Sequence, residues 1–179
     1  MRIIAGQAKG HRLIAPPGLH TRPTADRVRE ALFSVIMPRL ADTRILDAFA
    51  GSGSLGLEAL SRGAKTALFI EQDHAALKAL RRNVESCNFP GAEIFSGDTL
   101  RFLRQNKKTY DIIFLDPPYY TPLLTQALSA VLEGNILAKG GLVVAETAAK
   151  AGFTPPPGFT IIKRSVYGDT ALQYLEISS

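Results

Sequence analysis

From residue 44 onward, short apolar runs alternate with stretches in which apolar residues recur every three or four positions. Runs such as Ile112-Ile113-Phe114-Leu115 and Leu142-Val143-Val144-Ala145 have the length and composition of strands buried on both faces. The pattern predicts strands near 44–49, 66–71, 92–96, 110–115 and 141–146. It predicts helices near 54–62, 73–87, 99–106 and 121–133. Such alternation implies a mostly parallel sheet with helices on both faces. After Pro155-Pro156-Pro157-Gly158, the runs 159–162 and 171–177 read as a terminal antiparallel pair across Tyr167-Gly168-Asp169-Thr170. The pair brings the sheet to seven strands. No repeat, low-complexity tract or linker interrupts residues 1–179, so a single domain is expected, with an α/β core over 44–179.

Residues 1–43 break this rhythm. Arg2-Ile3-Ile4-Ala5 and Arg12-Leu13-Ile14-Ala15 flank a turn-rich basic tip, Gly6 to Gly10, and read as a small hairpin. A helix then follows, with Thr24 as its expected N-cap and Val28, Leu32, Val35 and Ile36 along one face. It should end before Pro38. Residues 1–44 hold eight Lys/Arg against three acids, whereas the rest of the chain is balanced. The whole excess of the +5 net charge therefore lies in this extension, which suits a polyanion. Arg2, Lys9, Arg12, Arg22 and Arg27 are the candidate contacts to nucleic-acid backbone, and Arg29 lies near them on the helix. Thr24 and Arg27 face either that polyanion or a ligand above the sheet.

Other bulk features narrow the class. The single cysteine, Cys87, excludes an internal disulfide and fits a reducing cytoplasm. No apolar run is long enough for a membrane span, and no secretion-type apolar segment opens the chain. His11, His20 and His74 are scattered, without metal-ligand spacing, so no metal is expected.

The candidate chemistry gathers at the ends of four predicted strands. Asp47-Ala48-Phe49-Ala50-Gly51-Ser52-Gly53-Ser54-Leu55-Gly56 joins a strand to a helix start through a glycine-rich turn. Such turns let the backbone approach a ligand and present free N–H groups. Gly51, Gly53 and Gly56 match GxGxxG, and Glu71, followed by Gln72, ends the next strand where a ribose-binding acid belongs. These features fit a dinucleotide as well as S-adenosylmethionine. Asp47 tips the balance to the latter, since a carboxylate before the loop repels pyrophosphate but accepts from an ammonium. Asp98 and Thr99 close the third strand, where Asp98 is expected to read the adenine amine. Asp116-Pro117-Pro118-Tyr119 closes the fourth. Its two prolines stop the strand and stiffen the turn. Main-chain carbonyls and the Asp116 carboxylate accept from an amine, and Tyr119 stacks on a planar ring, as a flipped nucleobase requires.

The Asp-Pro-Pro-Tyr motif and the Asp47-x-Phe49-x-Gly51-x-Gly53 loop resemble the class I methyltransferases that modify exocyclic amines. More specific is the opening from Arg2-Ile3-Ile4-Ala5-Gly6 through Thr21-Arg22-Pro23-Thr24-x-Asp26-Arg27-Val28-Arg29-Glu30-Ala31-Leu32-Phe33. With Leu55-Gly56-Leu57-Glu58-Ala59-Leu60-Ser61-Arg62-Gly63 and the closing Tyr167-Gly168-Asp169-Thr170, it resembles the RsmD family of 16S ribosomal RNA guanine-N(2) methyltransferases. The resemblance implies a Rossmann-like class I methyltransferase fold and S-adenosyl-L-methionine as cofactor. It also implies methylation of one guanine of 16S rRNA (position 966 in the usual bacterial numbering), in the small ribosomal subunit or an assembly intermediate. Asp116, Pro117, Pro118 and Tyr119 would then be catalytic. Asp47, Phe49, Ala50, Gly51, Ser52, Gly53, Leu55, Gly56, Glu71, Gln72, Asp98, Thr99 and Asp116 would hold the cofactor. Three other readings stay open: an amine methyltransferase acting on adenine-N(6) of DNA or RNA, on another RNA or on a protein amide; a nicotinamide-dependent dehydrogenase using GxGxxG and Glu71; and an RNA-binding module that has lost catalysis.

Overall fold

The computed structural model describes residues 1–16 and 23–178. Its centre is a seven-stranded sheet of order β3-β2-β1-β4-β5-β7-β6, in which only β7 runs against its neighbours. The strands are β1 (Arg44–Asp47), β2 (Thr66–Glu71), β3 (Ala92–Ser96), β4 (Tyr110–Leu115), β5 (Leu137–Ala148), β6 (Phe159–Tyr167) and β7 (Thr170–Ile177). The helices are α1 (Pro23–Ile36), α2 (Ser54–Ser61), α3 (His74–Cys87), α4 (Thr99–Gln105) and α5 (Leu123–Gly134). Strand order reverses between β1 and β4, where a parallel sheet opens a crevice for ligand.

Alternation along the central strands divides the core in two. Ile45, Ile112, Phe114, Leu142 and Val144 join the cluster beneath α1, α2 and α3. Leu46, Ile113, Leu115, Val143 and Ala145 join the one beneath α4 and α5. Adjacent residues thus feed opposite faces, which is why these strands are apolar throughout. Gly56 lies where α2 crosses β2, and a Cβ there would meet the Phe69 ring at 2.3 Å.

Helix bounds agree with the sequence pattern to within two residues. Two strands are longer than their apolar runs. β5 begins at Leu137, and its register against β4 shifts beside Gly140-Gly141. β6 continues to Tyr167 as an exposed edge carrying Lys163 and Arg164, charges that discourage edge-to-edge pairing. Helix α1 starts at Pro23, ahead of the expected Thr24 cap, a proline position that suits a first helical turn. A 3₁₀ turn at Met37–Arg39 follows it.

The expected N-terminal hairpin forms as a short antiparallel pair: a bridge joins Arg2 to Arg12, Ile3 N donates to the His11 carbonyl at 2.9 Å, Leu13 N to that of Met1 at 3.0 Å, and Gly10 N to that of Ile3 at 2.8 Å. Further main-chain donors reach α2 and α3. Ile4 N and Ala5 N donate to the Glu58 carboxylate at 2.8 and 3.0 Å. Ala8 N donates to Ser61 Oγ and Ile14 N to Asn83 Oδ1. Buried Ile3 and Leu13 press into the core beside α1. The hairpin is therefore both paired along its own strands and stapled along α2 and α3.

Glu58 is the hub of that staple. It is wholly buried, accepts from Arg62 Nε at 2.7 Å, and lies 3.7 Å from Arg29 Nε. Arg29 donates to the Arg2 carbonyl and to Asp26. At 5% exposure, Arg29 reaches neither solvent nor a bound polyanion. Buried charges are tolerated when paired and hydrogen-bonded in this way.

Candidate active site

A cleft of about 730 Å³ opens along the carboxyl ends of β1, β2 and β4. Its size suits a nucleoside-bearing cofactor. Phe49, Ala50, Gly51, Ser52, Ser54, Ile70, Glu71, Gln72, Asp73 and Thr99 line one part; Asp116, Pro117, Pro118, Tyr119 and Glu146 line another. Met1, Ala15 and Pro16 form part of the wall, so the N-terminal segment helps to build the site.

The glycine turn is held from behind. Asp47 is 2% exposed and accepts from Gly56 N at 3.0 Å. Burial raises its carboxyl to about 7, against the lowering effect of the Gly56 N–H, and Glu71 adds to the rise. Gly53 caps α2 at φ +80°, and Gly51 N donates to Glu71 Oε2 at 2.8 Å. The other Glu71 oxygen accepts from Gln72 N and Asp73 N. Glu71 thus closes one loop around the end of β2 and fixes the cleft floor.

The structure sorts the expected cofactor residues into two sets. Phe49, Ala50, Gly51, Ser52, Glu71, Gln72, Thr99 and Asp116 line the cleft. Asp47, Gly53, Leu55, Gly56 and Asp98 are not among its lining residues. Asp47 and Gly56 brace the turn. Gly53 and Leu55 pack inward. Asp98 is exposed and caps α4, its Oδ1 accepting from Arg101 N at 2.7 Å. Thr99 faces the cleft and donates to the Ala48 carbonyl, tying α4 to the β1 turn.

At the β4 end, Asp116 opens onto the cleft. Desolvation by the enclosing walls raises its carboxyl well above the ordinary carboxylate range, and the Glu146 and Asp47 carboxylates add to the rise. Tyr119 is half-buried and donates its hydroxyl to Glu146 Oε1. The same hydroxyl lies 3.2 Å from Thr170 Oγ1. Burial and the Glu146 charge push the phenol pKa up, so Tyr119 is neutral. Burial likewise raises the Glu146 carboxyl, against the Tyr119 hydrogen bond. Tyr120 is 84% exposed at the rim, at φ +59° and edge-on to Tyr119.

Glu146 is the site residue that sequence reading misses. Its signal is one acid directly after the apolar run Leu142-Val143-Val144-Ala145, at the carboxyl end that reaches the ligand edge. Thr170 brings the Tyr167–Thr170 motif into the site, because β7 runs antiparallel and begins at this edge.

The basic extension forms a second feature. Arg2, Lys9 and Arg27 are exposed and line a shallow recess of about 240 Å³, with Asp26 and Glu30 on its border. Arg12 is exposed opposite Arg2. Arg22 and the Thr24 side chain lie outside the described residues. Among the described residues, no helix is long and apolar enough to cross a membrane.

The family model described as "Conserved hypothetical protein 95" matches residues 1–176. Ribosomal RNA small subunit methyltransferase D of Haemophilus influenzae is 40% identical over 172 residues, covering 94% of this chain and 89% of that protein. Its namesake from Escherichia coli K12 is 37% identical, covering 96% and 87%. The solved structure of yhhF from Escherichia coli superposes with a TM-score of 0.88 at 36% identity, covering 100% of this chain and 98% of that one. The fold is accordingly the Rossmann-like class I methyltransferase fold, and this chain belongs to the ribosomal RNA small subunit methyltransferase D (RsmD) family.

Proposed function

We propose that the protein methylates the exocyclic N2 amine of one guanine in small-subunit ribosomal RNA, using S-adenosylmethionine. The observation that carries the reading is the Asp116–Tyr119 turn opening onto the same cleft as the glycine loop and Glu71. A cofactor and a planar amine can therefore meet at the tip of β4.

The residues present fit the cofactor. Glu71 stands where ribose hydroxyls would be bound, Phe49 and Ile70 offer apolar walls, and the Gly51 turn brings main chain to the surface of the cleft. Bound there, S-adenosylmethionine supplies an electrophilic methyl group. The chain's own part is to hold the acceptor. A guanine amine is a weak nucleophile because its lone pair is delocalised into the ring. Acceptors at Asp116 and the Pro117 carbonyl favour the positive charge that builds on nitrogen as it attacks. Fixed orientation removes a further share of the barrier, on the order of 7–11 kcal/mol for well-aligned reactants. Tyr119 supports the base by stacking. The proton released after transfer passes to Asp116 or to water.

Arg2, Lys9, Arg12 and Arg27 would meet the RNA backbone. Neutralising any one phosphate-binding cation should reduce the salt dependence of binding by about one unit of slope. Neutralising all four together should therefore flatten the plot of log affinity against log salt; an unchanged slope would remove them from the interface.

The decisive experiment is transfer of labelled methyl from S-adenosylmethionine to small subunits, and to their naked RNA, lacking the modification, followed by mapping of the label. Label on N2 of a single guanine is expected. Label on an adenine N6, or on no nucleotide despite cofactor binding, would overturn the substrate assignment.

A further inference from the structure

A second recess, of about 150 Å³, adjoins the cofactor cleft at Tyr119. Pro117, Pro118, Tyr119 and Glu146 line both spaces. Tyr120, Leu124 and Phe153 complete an aromatic and apolar rim. Glu146 therefore stands at the junction where an acceptor base would present its edge to the methyl donor.

The hydrogen bonding of Glu146 is one-sided. Oε1 takes the Tyr119 hydroxyl; among the described residues, Oε2 has no partner. Asp116, its neighbour across β4 and β5, makes no side-chain hydrogen bond among the described residues. Thr170 holds the same phenol from β7, so the Tyr119–Glu146 contact is braced from two sides. Most carboxylates drawn into a fold gather donors around both oxygens. Glu146 is held in place through Tyr119 and left with spare acceptor capacity beside a base-sized recess.

We infer that Glu146 is a specificity-determining residue, accepting from guanine N1–H while Asp116 and the Pro117 carbonyl take the adjacent N2 amine. The inference rests on the guanine-N2 reading above and deepens it. The chemistry is selective. Guanine presents two neighbouring donors, N1–H and N2–H₂, along its pairing edge. Adenine presents one amine beside N1, which is an acceptor. A carboxylate, which only accepts, therefore satisfies guanine and repels adenine. A flipped base is commonly read along this edge while its faces stack on aromatic side chains. Tyr119 supplies such a face here, with Tyr120 edge-on to it at the exposed rim.

The test uses 2-aminopurine, which keeps the methyl-accepting amine but has an unprotonated N1. Small-subunit RNA is prepared with guanine or 2-aminopurine at the mapped acceptor position. kcat/KM is measured for the wild type and for Glu146→Gln. Glutamine preserves an acceptor for Tyr119 and turns a donor toward N1. The wild type should prefer guanine by at least ~100-fold, because a site built to bond a donor strongly rejects the analogue lacking it. E146Q should narrow that ratio by ~10-fold or more. Any loss of folded enzyme cancels between the two substrates, and the difference in intrinsic amine reactivity cancels between the two enzymes. Tyr119→Phe should slow both reactions and keep the wild-type ratio, since Glu146 is retained.

An E146Q ratio equal to that of the wild type would reduce Glu146 to a support for Tyr119 and overturn the inference. Equal use of both bases by the wild type would overturn it without any variant. Either result leaves methylation of guanine N2 intact. Failure of the wild type to label guanine N2 at all would defeat the underlying reading, and the inference with it.

Discussion

Glu58 and Glu146 are both carboxylates drawn in from solvent, yet their surroundings differ in kind. Glu58 is 0% exposed and meets Ile4 N, Ala5 N and Arg62 Nε within 3.0 Å, with Arg29 close by. Among the described residues Glu146 has one donor, the Tyr119 hydroxyl, and it stands beside another carboxylate, Asp116. The first is saturated with donors and paired with opposite charge, which makes it a structural rivet. The second is under-supplied: burial raises its carboxyl against the Tyr119 hydrogen bond, and one oxygen is left for a ligand. Satisfaction, rather than burial, separates the structural acid from the functional one.

The comparison is broken most severely by deleting one acid from each region. Asp116→Ala should lower turnover by roughly 10³-fold or more, equivalent to about 4 kcal/mol of transition-state stabilisation. Cofactor binding, measured by titration, should survive, and thermal stability should be unchanged or higher because a crowded carboxylate has gone. Near-normal turnover would remove Asp116 from the chemistry. Glu58→Ala should do the reverse. Removing one partner of a buried charge cluster costs about 3–5 kcal/mol, which for a chain of this size lowers Tm by roughly 10 °C. The N-terminal wall of the cleft would loosen with it, since Ile4 and Ala5 lose their acceptor. A melting curve superposable on that of the wild type would show that the staple carries little of the stability.

This division is only partly legible along the chain. The alternating elements, the seven strands and the four strand-end motifs follow from local pattern, because each lies within a few consecutive residues. Glu58 is visible as part of a family-like helix, but its partners at Ile4, Ala5 and Arg29 lie 29 to 54 positions away in sequence. Arg29 reads as a surface cation for the same reason. Glu146 touches Tyr119 across 27 positions and Thr170 joins them across 51, through strand registers that no local signal encodes. Asp98 shows the converse. Its place at a strand end suggests a ligand contact, whereas the first turn of α4 claims it as a cap. An aspartate before a helix serves either purpose, and only the geometry of the N–H groups distinguishes them.

A milder intervention separates the two duties of Tyr119, as a stacking face and as the donor that holds Glu146. Tyr119→Ala removes both and should reduce kcat/KM by about 1–3 kcal/mol in base stacking alone, roughly 5- to 150-fold. Tyr119→Phe keeps the ring and should cost less. Equal losses in the two variants would shift the weight from the aromatic face to the hydroxyl.

Asp47 lies between the two extremes and sharpens the comparison with the smallest perturbation. It is wholly enclosed like Glu58, but has a single main-chain donor and feels Glu71 as a like charge. Its carboxyl stands near 7 when folded, against 3.8 as the ordinary value. The folded protein therefore holds this proton more tightly than the unfolded chain between those two limits. Stability contributed by the protonated form is complete below about pH 4 and is lost as pH rises toward 7. Asp47→Asn keeps an acceptor for Gly56 N and removes the titration. The variant should match the wild type near pH 4 and exceed it above pH 7, by at most roughly 4 kcal/mol. Denaturant unfolding across that range should accordingly show a shallower fall with pH. The slope that remains belongs to Asp116 and Glu146, whose carboxyls are raised in the same direction. An unaltered slope in Asp47→Asn would mean that Gly56 and the turn already hold the charged form, placing Asp47 with Glu58 among the satisfied acids.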